Sequence, residues 1–272
     1  MRQHHGFTLI ELAIVLVIIT VLIGGLAVPL SAQIQARRIA ETQKTLEEAR
    51  EAIIGFALSH PLGSCICSYG ADKLLDTATS TCPAVSCPQT DTGGITLTLA
   101  GPRHYLPCPD TDGDGRENRT GVTCDHPTGL FPWVDLGVAS QDAWGNHLLY
   151  AVTPIFANSA TGFSSADPGI LKVCSAAGCP TGSDVADKVP ALVLSYGPNG
   201  WGARNISGST LHDPISNNEL ENTNADDTFV SRPPYKPADG SAAEQAKEFD
   251  DLVVWIPDGV LKSRVCPSGG CP

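Results

Sequence analysis

The chain has 272 residues with 29 acidic and 17 basic side chains, a formal charge of −12 that argues against a basic groove for nucleic acid. Its 27 Gly and 21 Pro together exceed the usual share of about 12%, so long loops are expected between short elements. Ten cysteines without CxxC or CxxCH spacing exclude the common zinc and c-type haem sites.

Residues 1–6, MRQHHG, form a short basic leader, and Phe7 opens an apolar stretch that runs to Leu30 with one carboxylate, Glu11, four residues after the aromatic. Residues 12–30 carry no charge, and residues 7–30 as a helix are about 36 Å long, enough to cross the hydrocarbon core. A Sec-type signal would have an apolar core of about 7–15 residues ending in a small-residue exit, which is absent here. Cleavage is therefore expected before the apolar run, which stays in the mature chain. The positive-inside rule places Arg2 in the cytoplasm and everything after Leu30 outside it.

A carboxylate inside a span costs roughly 2–3 kcal/mol, so Glu11 calls for a partner unless it lies shallow enough to be hydrated. Cutting after Gly6 creates one, because the new α-amine of Phe7 is a cation that pairs with Glu11 of a neighbouring copy. The Gly6, Phe7, Glu11 pattern resembles the class III leader of type IV prepilins and of type II secretion pseudopilins. That resemblance implies cleavage by prepilin peptidase, N-methylation of Phe7 and a filament whose axial register Glu11 sets. Gly24, Gly25 and Pro29 each disfavour helix interior. By resemblance this region melts or bends on assembly; equally, small residues there let helices approach closely.

Residues 31–60 read as an amphipathic continuation of the helix, with Ile39, Leu46, Ala49, Ile53 and Phe56 at helical spacing and an end near Leu58, before Pro61. The mixed charges among Lys44, Glu47, Glu48 and Glu51 read as a solvated face. Residues 61–272 are long enough for one extracytoplasmic globular domain. Apolar runs at 95–99, 147–152, 170–173, 191–195 and 252–256, bounded by turn residues, predict strands. The expected fold is α+β, a long N-terminal helix packed on an antiparallel sheet with long disulfide-stapled loops. Cys82/Cys87, Cys174/Cys179 and Cys266/Cys271 share one short interval, and Cys108 and Cys124 bracket an acidic loop. Cys65 and Cys67 remain, with pairing to Cys82 and Cys87 as one option; spacing does not decide the connectivity.

That acidic loop places Asp110, Asp112 and Asp114 at alternate positions with Gly115 after them, like the first half of an EF-hand loop. The twelfth position is Gly121, so the bidentate acid is missing, and Glu117, Asn118 or a distant group would complete a Ca²⁺ shell. The competing reading is a turn closed by Asx hydrogen bonds. A second polar cluster, Glu219, Asn222, Asn224, Asp226 and Asp227, with Asp250 and Asp251 further on, resembles the C-terminal region of calcium-binding pseudopilins, and solvated turns fit it as well. The Trp-bearing stretches 129–133, 142–146 and 195–201 suit packing between sheet and loops. Ser195 is not in a GxSxG elbow, and His212-Asp213 has no nucleophile beside it, so no enzyme is expected.

Together these features predict a subunit of a type IV pilus-like filament, a pilin or minor pilin, working with other pilin-like subunits and an inner-membrane assembly machinery. The alternatives are a type II secretion pseudopilin, and a membrane-anchored calcium- or ligand-binding domain that never polymerises.

Overall fold

The computed structural model describes residues 8–62, 66–68, 74, 96–98, 103–266 and 271, with the backbone alone at 22–30, 66–68 and 96–98. In chain order the elements are α1 (Leu9–Ser59), β1 (Ile66–Ser68), β2 (Thr96–Thr98), β3 (Arg119–Thr120), β4 (Thr123–Cys124), β5 (Thr128–Leu130) and α2 (Trp133–Leu136). There follow β6 (Leu149–Val152), β7 (Leu171–Cys174), β8 (Asp184–Val189), β9 (Ala191–Ser195), α3 (Asn217–Glu221), β10 (Thr228–Val230), α4 (Ala242–Gln245), β11 (Leu252–Ile256) and α5 (Asp258–Val265).

Helix α1 has 51 residues, so it is about 76 Å long, and it continues through Gly24, Gly25 and Pro29. Its end is chemical as well as steric. The His60 N–H donates to the Phe56 carbonyl, the two rings stack at 4.1 Å, and Pro61 cannot extend the helix.

Among the described side chains the first buried residue of α1 is Thr42, and from there one face docks on the domain. Leu46, Ala49, Ile53, Ile54 and Ala57 are fully buried against Tyr150, Val152, Val193 and Ile256 of the four-stranded antiparallel sheet β11-β9-β6-β5. Alternate residues of the same strands, Leu149, Ala151, Leu192 and Leu194, pack on the opposite side against Leu171, Val173 and Phe229 of a second sheet, β10-β7-β8. Strands β6 and β9 are therefore apolar on both faces because they form the middle of three layers. The core unites residues on both sides of position 61, so the helix end is part of the domain rather than a stalk below it.

Two points correct the sequence-based expectation. The pairing of β7 with β10 is parallel, so the sheets are not purely antiparallel. The chain leaves β7, builds β8 and β9, and returns only after long connections, which is the length a parallel pair requires. Strand β8 is not expected from its sequence, since DVADKV reads as a polar loop; it is an exposed sheet edge on which charges are tolerated, tied by Lys172 to Asp184 at 2.6 Å.

Disulfides join Cys108 to Cys124, Cys174 to Cys179 and Cys266 to Cys271. Cys65, Cys82 and Cys87 lie outside the described residues, and Cys67 is described only by its backbone in β1.

Leu46→Ala is expected to cost about 2–5 kcal/mol, because it opens a cavity at a fully buried contact between helix and sheet. Thermal unfolding of the detergent-solubilised full chain checks this. A drop of roughly 4 °C or more is expected, at about 2–4 °C per kcal/mol for a domain of this size.

Candidate functional site

Three regions carry the candidate residues. At the N-terminus, Gly6 and Phe7 lie outside the described residues, and Glu11 sits in the first turn of α1. Thr8 caps the helix: its Oγ1 accepts from the Glu11 N–H, while the Thr8 N–H and hydroxyl donate to Glu11 Oε2 at 2.8 and 2.7 Å. Glu11 Oε1 takes no hydrogen bond among the described residues, which leaves it open to an outside donor. Around Glu11 the helix is apolar and bare, with Leu9 90% and Ile10 68% exposed and Leu12, Ile14, Leu16, Val17 and Val21 also exposed. Apolar groups on all sides of a helix mark a surface meant for lipid or for other helices. Among the described residues no helix is long and apolar enough to cross a membrane; the side chains of 22–30 are outside the description.

The acidic loop closes on itself. Asp110 is fully buried; its Oδ1 accepts from the N–H groups of Asp112 and Gly113, and its Oδ2 from Gly115. Asp112 and Asp114 each accept from the backbone two residues on, as Asx turns do. Glu117 accepts from the Cys108 N–H and pairs with Arg119 at 3.0 Å, and Asn118 accepts from the Thr111 N–H. Gly115 has φ +87°, and a Cβ there would lie 2.5 Å from the Trp133 ring, so the loop is pressed onto α2. A second link runs from the Glu117 N–H to Asp135. Asp110, Asp112 and Asp114 are thus brought together while Glu117 turns to the Cys108 N–H and Arg119, and each of the five predicted ligands already serves a hydrogen bond or ion pair of the loop.

The third region gathers Glu219 from α3 with Asp250 and Asp251 from the entry to β11, one carboxylate oxygen of each lying within 4.8 Å of the others. Glu219 and Asp251 are buried. Asn199, in the turn after β9, holds two of the acids: its side-chain amide donates to Glu219 and its backbone N–H to Asp250 Oδ2. The turn needs Gly197, whose φ is +62° and whose Cβ would meet the Asp250 carbonyl oxygen and Oδ1. Fully buried Asn222 donates to Asp251 Oδ2 at 2.8 Å and to the Val230 carbonyl, and accepts from the Val230 N–H.

What remains is the unusual part. Asp250 Oδ1 and Asp251 Oδ1 are buried without a hydrogen-bond partner. No ion pair reaches any of the three carboxylates among the described residues. Burial, then the neighbouring charges of Glu219 and Glu248, pushes Asp250 up to about 7. Burial raises Asp251 well above the carboxylate range and raises Glu219 as well. Three crowded acids with two vacant oxygens suit a hard cation with oxygen ligands.

The sequence named Glu219, Asn222, Asp250 and Asp251 within a diffuse polar stretch. It missed Asn199, for which no local spacing signal exists. Asp226 instead accepts from the Thr228 N–H at the start of β10, and Asp227 is exposed. Of the Trp-bearing stretches, Trp133 stacks on His147 at 4.8 Å, and Asp142 accepts from the backbone N–H groups of Trp144 and Asn146 and from the Ser195 hydroxyl.

Neither the curated proteins nor the solved structures include a match to the chain. The model of the prokaryotic N-terminal methylation motif does match, over residues 1–27, so the chain carries a prepilin-type methylation motif, which supports a type IV pilin-like or pseudopilin subunit processed by prepilin peptidase.

Proposed function

We propose that this chain is a structural subunit of a type IV pilus-like filament, a pilin or minor pilin. It enters the inner membrane through residues 7–30, is cut after Gly6, and assembles through α1 with its domain outside the cytoplasm. The observation that carries this reading is the union of the methylation motif at 1–27 with a 51-residue helix whose apolar side chains from Leu9 to Val21 are bare. Such a surface is costly in water and is satisfied by lipid before assembly and by neighbouring helices after it. The role is structural, not enzymatic.

Mass spectrometry of the membrane-extracted protein tests processing. The expected N-terminus is Phe7 with one methyl group; a start after Ala27 or Ala32 would rule the reading out.

A divalent cation, Ca²⁺ by preference, is a further part of this proposal. Its favoured position is Glu219, Asp250 and Asp251 rather than the loop of Asp110, Asp112 and Asp114. The two unpartnered buried carboxylate oxygens support that choice, because both oxygens of the loop's buried acid, Asp110, are already satisfied. There the ion would neutralise crowded acids and join α3 to β11 and the turn after β9.

A further inference from the structure

Charged residues of α1 divide sharply along its length. From residue 44 onward every one is in an ion pair: Lys44 with Glu48, Arg50 with Glu47 and Glu51, and Glu51 also with Arg264 of α5. The preceding three, Arg37, Arg38 and Glu41, are exposed and have no ion pair or side-chain hydrogen bond among the described residues. They lie on the neck, between the apolar third of the helix and Thr42, where the domain begins to cover it.

Helical geometry separates these three. At about 100° per residue, Arg37 and Glu41 are roughly 40° apart, and they lie roughly 110–150° from the face of Thr42, Leu46, Ala49 and Ile53. Both therefore point away from their own domain. Arg38 is turned toward the domain side.

We infer that Arg37 of one copy pairs with Glu41 of the next, forming a second charged register contact in the filament. The inference rests on the filament reading above. If the Phe7 amine of one copy sits level with Glu11 of its neighbour, the two helices are offset by four residues, about 6 Å. The same offset brings Arg37 level with Glu41, since identical copies share one axial offset along their length and the two residues are four apart in helical α1, whether or not the segment from Gly24 to Pro29 bends on assembly. Arg38 would instead meet Thr42, which is buried and accepts from the Ala143 N–H. The partner is thus a second copy of this chain, selected by opposite charge at a matched height. Near the membrane surface and repeated at every subunit, such a pair acts on register more than on the stability of one chain.

Co-expression of two full-length chains, Arg37→Cys in one and Glu41→Cys in the other, tests the contact with a short bismaleimide on intact cells. The expected result is a crosslinked dimer only when both chains are present, lost when Glu11→Gln is added to both. Using separate chains excludes a bridge within one helix. A charge reversal gives an independent readout: Arg37→Glu should lower filament yield several-fold, and adding Glu41→Arg should restore it. Filaments that form without the dimer, or an Arg37→Cys chain that links equally well to a Lys44→Cys chain, would overturn the inference and leave the filament reading standing. If the wild-type chain enters no filament at all, the filament reading fails first and the inference with it.

Discussion

Glu11→Gln is expected to abolish entry into filaments while cleavage after Gly6 and membrane insertion continue. Gln keeps an oxygen that the Thr8 N–H and hydroxyl can donate to, so the start of α1 remains capped. What it loses is the negative charge that the Phe7 amine of a neighbour would meet inside a low-dielectric bundle, where an unpaired ammonium is strongly penalised. Insertion should become easier, because the neutral side chain costs less in the span. Glu11→Ala should fail in the same way, with a frayed first turn in addition. The measurement is the amount of each variant in the sheared filament fraction beside its processed pool in the membrane. Wild-type amounts of Glu11→Gln in filaments would show that the Glu11 charge does not set the register, whereas absence of the wild-type chain itself from filaments would favour an anchor that does not polymerise.

Calcium is expected to raise the melting temperature of the full chain in detergent, and Asp251→Asn is expected to remove that response. A site with a dissociation constant of about 10⁻⁴ M adds roughly 2 kcal/mol at a few millimolar Ca²⁺, or about 4–8 °C. The sign of the pH dependence follows from the raised pKa values. An acid whose folded pKa exceeds its unfolded value binds more protons when folded. Its stabilising effect is present below the unfolded value, near 3.9, and is lost as pH rises through about 7 for Asp250. In chelator, wild type should therefore lose stability relative to Asp250→Asn between about pH 4 and 7, and calcium should cancel the loss. Asp251→Asn replaces an acid whose charged form burial disfavours by a neutral side chain of the same shape, so in chelator at pH 7.5 it should melt no lower than wild type. Asp112→Ala should keep the full calcium response. The reverse outcome, with Asp112→Ala unresponsive and Asp251→Asn responsive, would place the ion in the acidic loop.

The N-terminal features were legible because they are local. Gly6, Phe7 and Glu11 fall within six residues, and the methylation motif match covers the same stretch. Strands β9 and β11 are legible to their observed bounds, since an apolar run between turn residues has few other uses. The polar edge strand β8 is not, because its pairing with β7 is decided by the neighbour and not by its own composition.

Local spacing suggested, without deciding, the three disulfides seen among the described residues, each joining cysteines close in sequence. The carboxylate cluster was beyond such reading. Glu219 and Asp250 are 31 residues apart, joined by one backbone hydrogen bond, and Asn199 reaches Glu219 from 20 residues away. Sequence determined which groups carry charge and where α1 begins its apolar face. Only the layering of α1, the main sheet and the second sheet decided which carboxylates lose their water. Desolvation depends on what packs around a group, and in the acidic loop it leaves Asp110 satisfied by three amides. At β11 the same burial leaves two oxygens with nothing to accept.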